Sequence, residues 1–316
     1  MTDMTYIQLL NKTLDYYFKE KYEEGFDFLN KNKDKVKGNQ AQLYNFQYTL
    51  ACKIGEVDKA IELLKEAVYD KGFWYATDYL KADDDLDPIR DKKEFKKIVK
   101  VCKKREEEAK DKAKSKLKVY LPENNKKDNK KPLFITLHGN QENIKIVEDY
   151  WKAVLNQDII LALSQSSQIE FHEAYVWDDV EVGVRELKHH FNNIISNYNV
   201  DLDNIILGGF SAGARVILEA VNKDIIKPKG IVLMAPWLPD IKQNQKLFKK
   251  LKEIDTKVYI ICGKEDKDCL EYCEILSDKL EQSNVDYKYE LIEELDHDYP
   301  KDFSIKLKKA INYIKE

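Results

Sequence analysis

The chain has 316 residues, 43% of them hydrophobic and 35% charged, with only 11 Gly and 7 Pro, which excludes a disordered or low-complexity chain and suits two domains. Its 53 basic and 57 acidic residues leave a net charge of −4, so no global basic field for nucleic acid is expected. No apolar run nears the ~20 residues that cross a bilayer, the first residues lack a signal-peptide core, and the five cysteines show no framework spacing, so a cytoplasmic protein without membrane contact is expected.

Up to about residue 112 the chain reads as helix after helix. Tyr6, Leu9, Leu10, Leu14 and Phe18 recur at helical spacing, and so do Ile61, Leu64, Ala67 and Val68. Tyr22–Leu29 aligns with Val57–Leu64 at an offset of 35, with Gly25 and Ala60 as the small residues that let two helices approach. In the second copy Tyr44, Gly55, Ala60, Leu64 and Ala67 fall where tetratricopeptide repeats, with a period of about 34, place aromatic, turn, small and apolar residues. This region therefore resembles that helix-turn-helix repeat family, and an irregular helical bundle is the alternative. A third helical unit is expected from Phe73 to about Lys112. Repeats of this kind present extended surfaces, which implies a protein partner or self-association through the helical domain.

From Lys110 to Lys131 nine Lys face three acids, which reads as a solvated linker crossed by the strand residues Leu117, Val119 and Leu121, with a hairpin tip over 122–131. The grammar then changes. The short apolar runs LFITLHG, DIILALSQ, NIILGG, GIVLMAP, VYIICG and YKYELIEELD alternate with amphipathic stretches such as Val184, Leu187, Phe191, Ile194, Ile195 and Tyr198. Strand–helix alternation predicts an α/β domain, a mostly parallel sheet with helices on both faces, so the domains are expected at 1–112 and 113–316. Reactive residues in such sheets sit on loops at the carboxyl ends of strands.

Gly209-Phe210-Ser211-Ala212-Gly213 follows the strand NIILG and opens the helix ARVILEAV, the strand–turn–helix context in which G-x-S-x-G raises a serine clear of the backbone. A serine hydroxyl is a poor nucleophile at neutral pH and needs a base held by an acid. His297, after the last strand, is the only one of five histidines beyond Ser211. For the acid, Asp266 follows the strand VYIICG closely; Asp268 ranks second, Glu265 third and Asp296 last. Backbone N–H groups for a developing oxyanion are expected at Ala212 and, after LFITLHG, at Gly139 or Asn140. His138 reads as a loop-shaping residue, His189 and His190 as solvated, and Cys269 and Cys273 as buried thiols. No metal and no cofactor is implied.

Together HGNQEN, GFSAG, GKEDKD and LDHDYP resemble the α/β-hydrolase superfamily, nearest to its small serine esterases of the phospholipase/carboxylesterase and dienelactone-hydrolase type, over about residues 116–316. The resemblance implies a nucleophile at Ser211, an acid at Asp266, a base at His297 and oxyanion donors near Asn140 and Ala212, with a small acyl ester or thioester as substrate. It departs from the family at Asn140 and Gln141, where small residues are usual, and at Asp296, where Gly is usual. A peptidase with the same triad and a non-catalytic binding protein are the alternatives. About twenty residues separate Pro236 from Lys257, where the superfamily commonly inserts its lid, so a shallow pocket bordered by Gln141, Trp237 and Tyr299 is expected.

Overall fold

In the computed structural model, which describes residues 4–123 and 129–316, the Gln8 N–H donates to the Thr5 hydroxyl at 3.0 Å while Gln8 Oε1 accepts from the Thr5 N–H. This reciprocal cap starts helix α1 (Tyr6–Phe18). There follow α2 (Tyr22–Asn32), α3 (Gln40–Lys53), α4 (Val57–Lys65), α5 (Thr77–Ala82), α6 (Asp87–Arg90) and α7 (Lys93–Lys112). The starts of α2 and α4, Tyr22 and Val57, keep the offset of 35 residues. A Cβ on Gly25 would lie 3.0 Å from Tyr16 Cβ, so the small residue is what lets α1 and α2 approach. The third stretch is not a copy of the first two, because α5 and α6 span only six and four residues and α7 twenty. α4 runs on through a π-helical turn over Glu66–Asp70, which keeps Ala67 and Val68 buried in one core with Ala60, Leu64, Tyr48 and Phe95.

The chain divides into two compact units, one of residues up to Ala113 with Ile169–Ala174, the other of Lys114–Gln168 and Tyr175–Glu316. The segment 169–174, expected with the second domain, thus belongs to the helical unit. Phe171 and Ala174 join the helical core, the Asn39 side chain donates to the His172 carbonyl at 2.9 Å, and the His172 N–H donates to the Trp74 carbonyl at 3.1 Å.

The second unit holds a seven-stranded sheet. Its strands are β1 (Lys116–Tyr120), β2 (Lys131–Leu137), β3 (Ile160–Gln165), β6 (Val200–Phe210), β7 (Gly230–Met234), β8 (Lys257–Gly263) and β9 (Tyr287–Ile292), while β4 (Ile169–Phe171) and β5 (Ala174–Tyr175) form a separate two-stranded sheet. The order is β1-β3-β2-β6-β7-β8-β9, parallel except for β1. The inner strands β3 and β7 are buried at every residue, as continuous apolar runs in a sheet covered on both faces should be. Its helices are α8 (Ile144–Trp151), α9 (Val180–Asn197), α10 (Ala212–Asn222), α11 (Gln245–Glu253), α12 (Leu270–Gln282) and α13 (Phe303–Lys315).

The hairpin expected between β1 and β2 does not form. β1 alternates Lys with apolar residues and suits an edge, so it pairs antiparallel with β3, and the fully buried β3 lies between it and β2. Part of the expected hairpin tip, 124–128, lies outside the described residues. Between β7 and β8 stand one 3-10 turn (Ile241–Gln243) and α11, whose Leu247, Phe248 and Leu251 are buried in the core of this unit. Among the described residues no helix is long and apolar enough to cross a membrane.

Candidate active site

β2 and β6 are parallel neighbours, with Leu137 opposite Gly209, so the loop after one strand and the turn after the other emerge side by side. At that turn Ser211 takes φ 50° and ψ −121°, a conformation L-residues seldom adopt, and its N–H donates to the Met234 carbonyl at 3.0 Å. Two glycines admit this geometry. A Cβ on Gly209 would meet the Ala214 nitrogen at 2.8 Å, and one on Gly213 would meet the His138 carbonyl oxygen at 2.5 Å. Ala212 heads α10, where an N–H has no acceptor within its own helix.

The loops after β8 and β9 are stitched together by an N–H from Glu265 to the Leu295 carbonyl at 2.9 Å, and the Leu295 carbonyl passes so close to Gly263 that no side chain fits there. This contact brings Asp266 to His297. Asp266 is wholly buried and accepts His297 Nδ1–H at 2.8 Å, while its other oxygen accepts the N–H groups of Asp268 and Cys269 at 3.1 and 2.9 Å. Because a carboxylate only accepts, Nδ1 carries the ring proton and Nε2 is left to face the Ser211 hydroxyl, 3.0 Å away. Burial opposes a charge on His297, but the Asp266 hydrogen bond, helped by the charges of Asp266, Asp268 and Glu142, outweighs it and raises its pKa above the usual imidazole value. Asp268 and Glu265 are exposed, and Asp296 instead caps its own turn, accepting the His297 N–H at 2.8 Å.

The loop after β2 is shaped by His138. Its buried ring stands 4.8 Å from that of Trp177, with Nδ1 2.6 Å from the Gly139 carbonyl and Nε2 accepting the Ser166 N–H at 3.2 Å. Burial lowers its pKa to about 4, so it is a neutral brace. Within the loop the Gly139 N–H is taken by Glu142 Oε2 at 2.7 Å and the Gln141 N–H by the Tyr175 carbonyl at 2.8 Å. The Asn140 N–H has no protein acceptor among the described residues, although the Asn140 side chain is engaged, accepting from Trp177 N–H and donating to Asp178.

Two expected placements are corrected. Tyr299 does not border an open pocket: it is 1% exposed, stacked on Tyr150 at 4.0 Å and tilted against Phe210 at 4.6 Å, and its hydroxyl accepts Trp151 Nε1–H at 3.2 Å. It packs against Phe210, the residue before the serine, because Asp298–Pro300 is buried after His297. His190 is not solvated but buried, with Nδ1 2.8 Å from Ser164 Oγ and its pKa lowered by burial to about 4; His189 is exposed. Gln141 is exposed at φ 64°, and Trp237 is half-buried, with its ring 5.7 Å from the Arg215 guanidinium and its N–H donating to the Ser211 carbonyl. Cys269 and Cys273 are buried thiols. Asp266, Cys269 and His297 offer ligand atoms within 4.8 Å of one another, but Asp266 and His297 are already bonded to each other and burial pushes the Cys269 thiol far up, which does not suit a cation. Sequence reasoning missed two buried carboxyl groups at this site, Glu142 and Asp298.

Residues 5–110 match the family described as A/B hydrolase-like, N-terminal domain, and residues 181–312 match the one described as alpha/beta hydrolase domain. Among solved structures, an uncharacterized protein from Bacillus cereus ATCC 10987 is 44% identical, covering 99% of this chain and 100% of that one, at a TM-score of 0.58. A Bacillus cereus carboxylesterase is 20% identical over 65% of this chain and 97% of that one (TM-score 0.52). The esterase PE8 is 16% identical over 64% and 99% (TM-score 0.52). At such identities these last two likenesses concern the fold alone. None of the curated proteins matches the chain.

Proposed function

The chain belongs to the α/β-hydrolase family, and from that premise we propose that it is a serine hydrolase cleaving small acyl esters or thioesters through an acyl-enzyme at Ser211. The observation that carries this reading is the unbroken run of hydrogen bonds from buried Asp266 through His297 to a serine held at φ 50°. As Ser211 Oγ attacks the acyl carbon, His297 Nε2 takes its proton and Asp266 stabilises the imidazolium that forms. The Ala212 and Asn140 N–H groups are assigned to the oxyanion, where charge develops only in the transition state. The acyl C–O or C–S bond then breaks and Nε2 returns the proton to the leaving group. Water attacks the acyl-enzyme, again giving its proton to His297, and the free acid departs from a regenerated Ser211.

The scale of the substrate follows from the insertion between β7 and β8. Its apolar residues Ile241, Leu247 and Leu251 are consumed by the core, so it supplies no greasy cap, and Gln141 and Trp237 are the assigned borders of the acyl site. Short acyl groups are therefore the proposed substrates. A fluorophosphonate probe tests the mechanism: one adduct is expected, on Ser211. Ester turnover by Ser211→Ala at the wild-type rate sinks the reading.

A further inference from the structure

The mechanism leaves Glu142 unused, although it is buried in the loop after β2 as His138 is. Its carboxyl is 6% exposed. Oε2 accepts the Gly139 N–H at 2.7 Å, and Oε1 has no hydrogen-bond partner among the described residues. No lysine or arginine among them pairs with it. The groups that face it are the Gly139 N–H of its own loop, His297 and Asp298 from the segment after β9, and the Tyr299 ring and hydroxyl below. Phe210, on the nucleophile's strand, closes the same space, since a Cβ on Gly139 would meet its ring at 2.7 Å and Glu142 Oε2 at 3.1 Å.

The loop has few donors, and Glu142 decides which one is free. Its side chain takes the Gly139 N–H, its own N–H donates to the Gly139 carbonyl at 3.3 Å, and its carbonyl accepts the Tyr175 N–H at 3.1 Å. With Gln141 N–H bound to the Tyr175 carbonyl, Asn140 keeps an N–H without a protein acceptor among the described residues. We propose that Glu142 is a positioning residue for the oxyanion loop: as a neutral acid it holds the Gly139 N–H and presents the Asn140 N–H to the oxyanion, and as a carboxylate it opposes that charge. The proposal rests on the serine-hydrolase reading above. The chemistry is consistent with the surroundings. Burial, with Asp298 nearby, pushes the Glu142 carboxyl up to about 7, against the lowering pull of the Gly139 N–H and His297. An ionised Glu142 would also hold a proton on His297, so the two titrate as a pair, and the working state has both neutral.

Three variants test this against an ester substrate. Glu142→Gln keeps the acceptor and cannot ionise. It should keep kcat within about threefold at pH 7, move the acid limb of the kcat/KM profile to lower pH, and abolish the decline expected for the wild type on the alkaline side. Glu142→Ala should lose kcat by about 10–100-fold with KM changed less than threefold, somewhat below the cost of deleting an oxyanion donor outright. Fluorophosphonate labelling should slow in parallel. If Glu142→Ala does not fold, the Glu142→Gln profile decides alone. A profile superimposable on the wild type in Glu142→Gln overturns the proposal, and so does unchanged kcat in Glu142→Ala. Ser211→Ala separates the two levels: retained turnover there overturns the hydrolase reading itself, whereas loss of turnover beside a wild-type Glu142→Gln profile overturns only the role of Glu142.

Discussion

The turn after β6 and the loop after β2 flank one position at the ends of neighbouring strands, but the chain holds them by different means. The turn is held by exclusion. Gly209 and Gly213 have no room for a side chain, so strand, serine and helix can meet in only one way. The loop is held by polar bonds drawn from afar: the His138 ring against Ser166 and Trp177, the Tyr175 backbone, and the carboxyl of Glu142. A steric device is indifferent to pH and is written locally in the sequence. A polar device senses protonation and exists only once distant segments have come together.

The largest effects should come from the turn side. Ser211→Ala and His297→Ala should each lower kcat by about 10⁴-fold or more, since such residues act as a unit, and Asp266→Asn should cost somewhat less. Steady-state ester hydrolysis with probe labelling checks this. A greater loss in Asp268→Asn would reassign the acid. Next comes Gly213→Ala, whose Cβ would press on the His138 carbonyl at 2.5 Å. Overpacking of this kind costs about 1–3 kcal/mol, and because it levers the two loops apart it should slow labelling as well as lower the melting temperature. A variant destabilised but labelled at the normal rate would show that the loops are independent.

A pH series sharpens the contrast. His297 must be neutral to accept the serine proton, and its pKa is raised, so activity should climb with pH through a midpoint above the ordinary imidazole value of ~6.5. Stability should run the other way. Both His297 and Glu142 bind protons more tightly in the fold than in the unfolded chain, so their contribution is complete at low pH and is lost as pH rises through their folded values. Thermal melts from about pH 5 to pH 9 should show the loss, on the order of 1–3 kcal/mol, and Glu142→Gln should flatten it. The smallest effect concerns substrate. Across acetyl, butyryl, octanoyl and palmitoyl esters of one alcohol, kcat/KM should not keep rising with length, since each further methylene could yield ~0.8 kcal/mol only where it is buried. A steady rise to palmitoyl would disprove the shallow site.

Much of this was legible beforehand where the signal is local. The apolar runs after residue 130 became strands β2, β3 and β6–β9 because a sheet covered on both faces needs continuous hydrophobic residues. GFSAG became the turn around Ser211, for its glycines report close approach whatever the rest of the chain does. His190 was within reach of the same reasoning: it stands three residues after Leu187 and four before Ile194, both buried, and so lies on the inward stripe of α9. The strand order was not, since β1 could meet either β2 or β3 by pattern alone.

By itself, then, the sequence determined the two kinds of architecture, the strands, the serine turn and the chain order of serine, carboxylate and histidine, all encoded in spacing and in residues that cannot be exchanged sterically. Tertiary structure decided which carboxylate meets His297, that Tyr299 is buried against Phe210 rather than bordering a pocket, that 169–174 joins the helices, and that Glu142 is buried. The physical reason is common to all four. Burial and electrostatic environment are properties of what packs around a group, and nothing in HGNQEN states that its glutamate will lose its water.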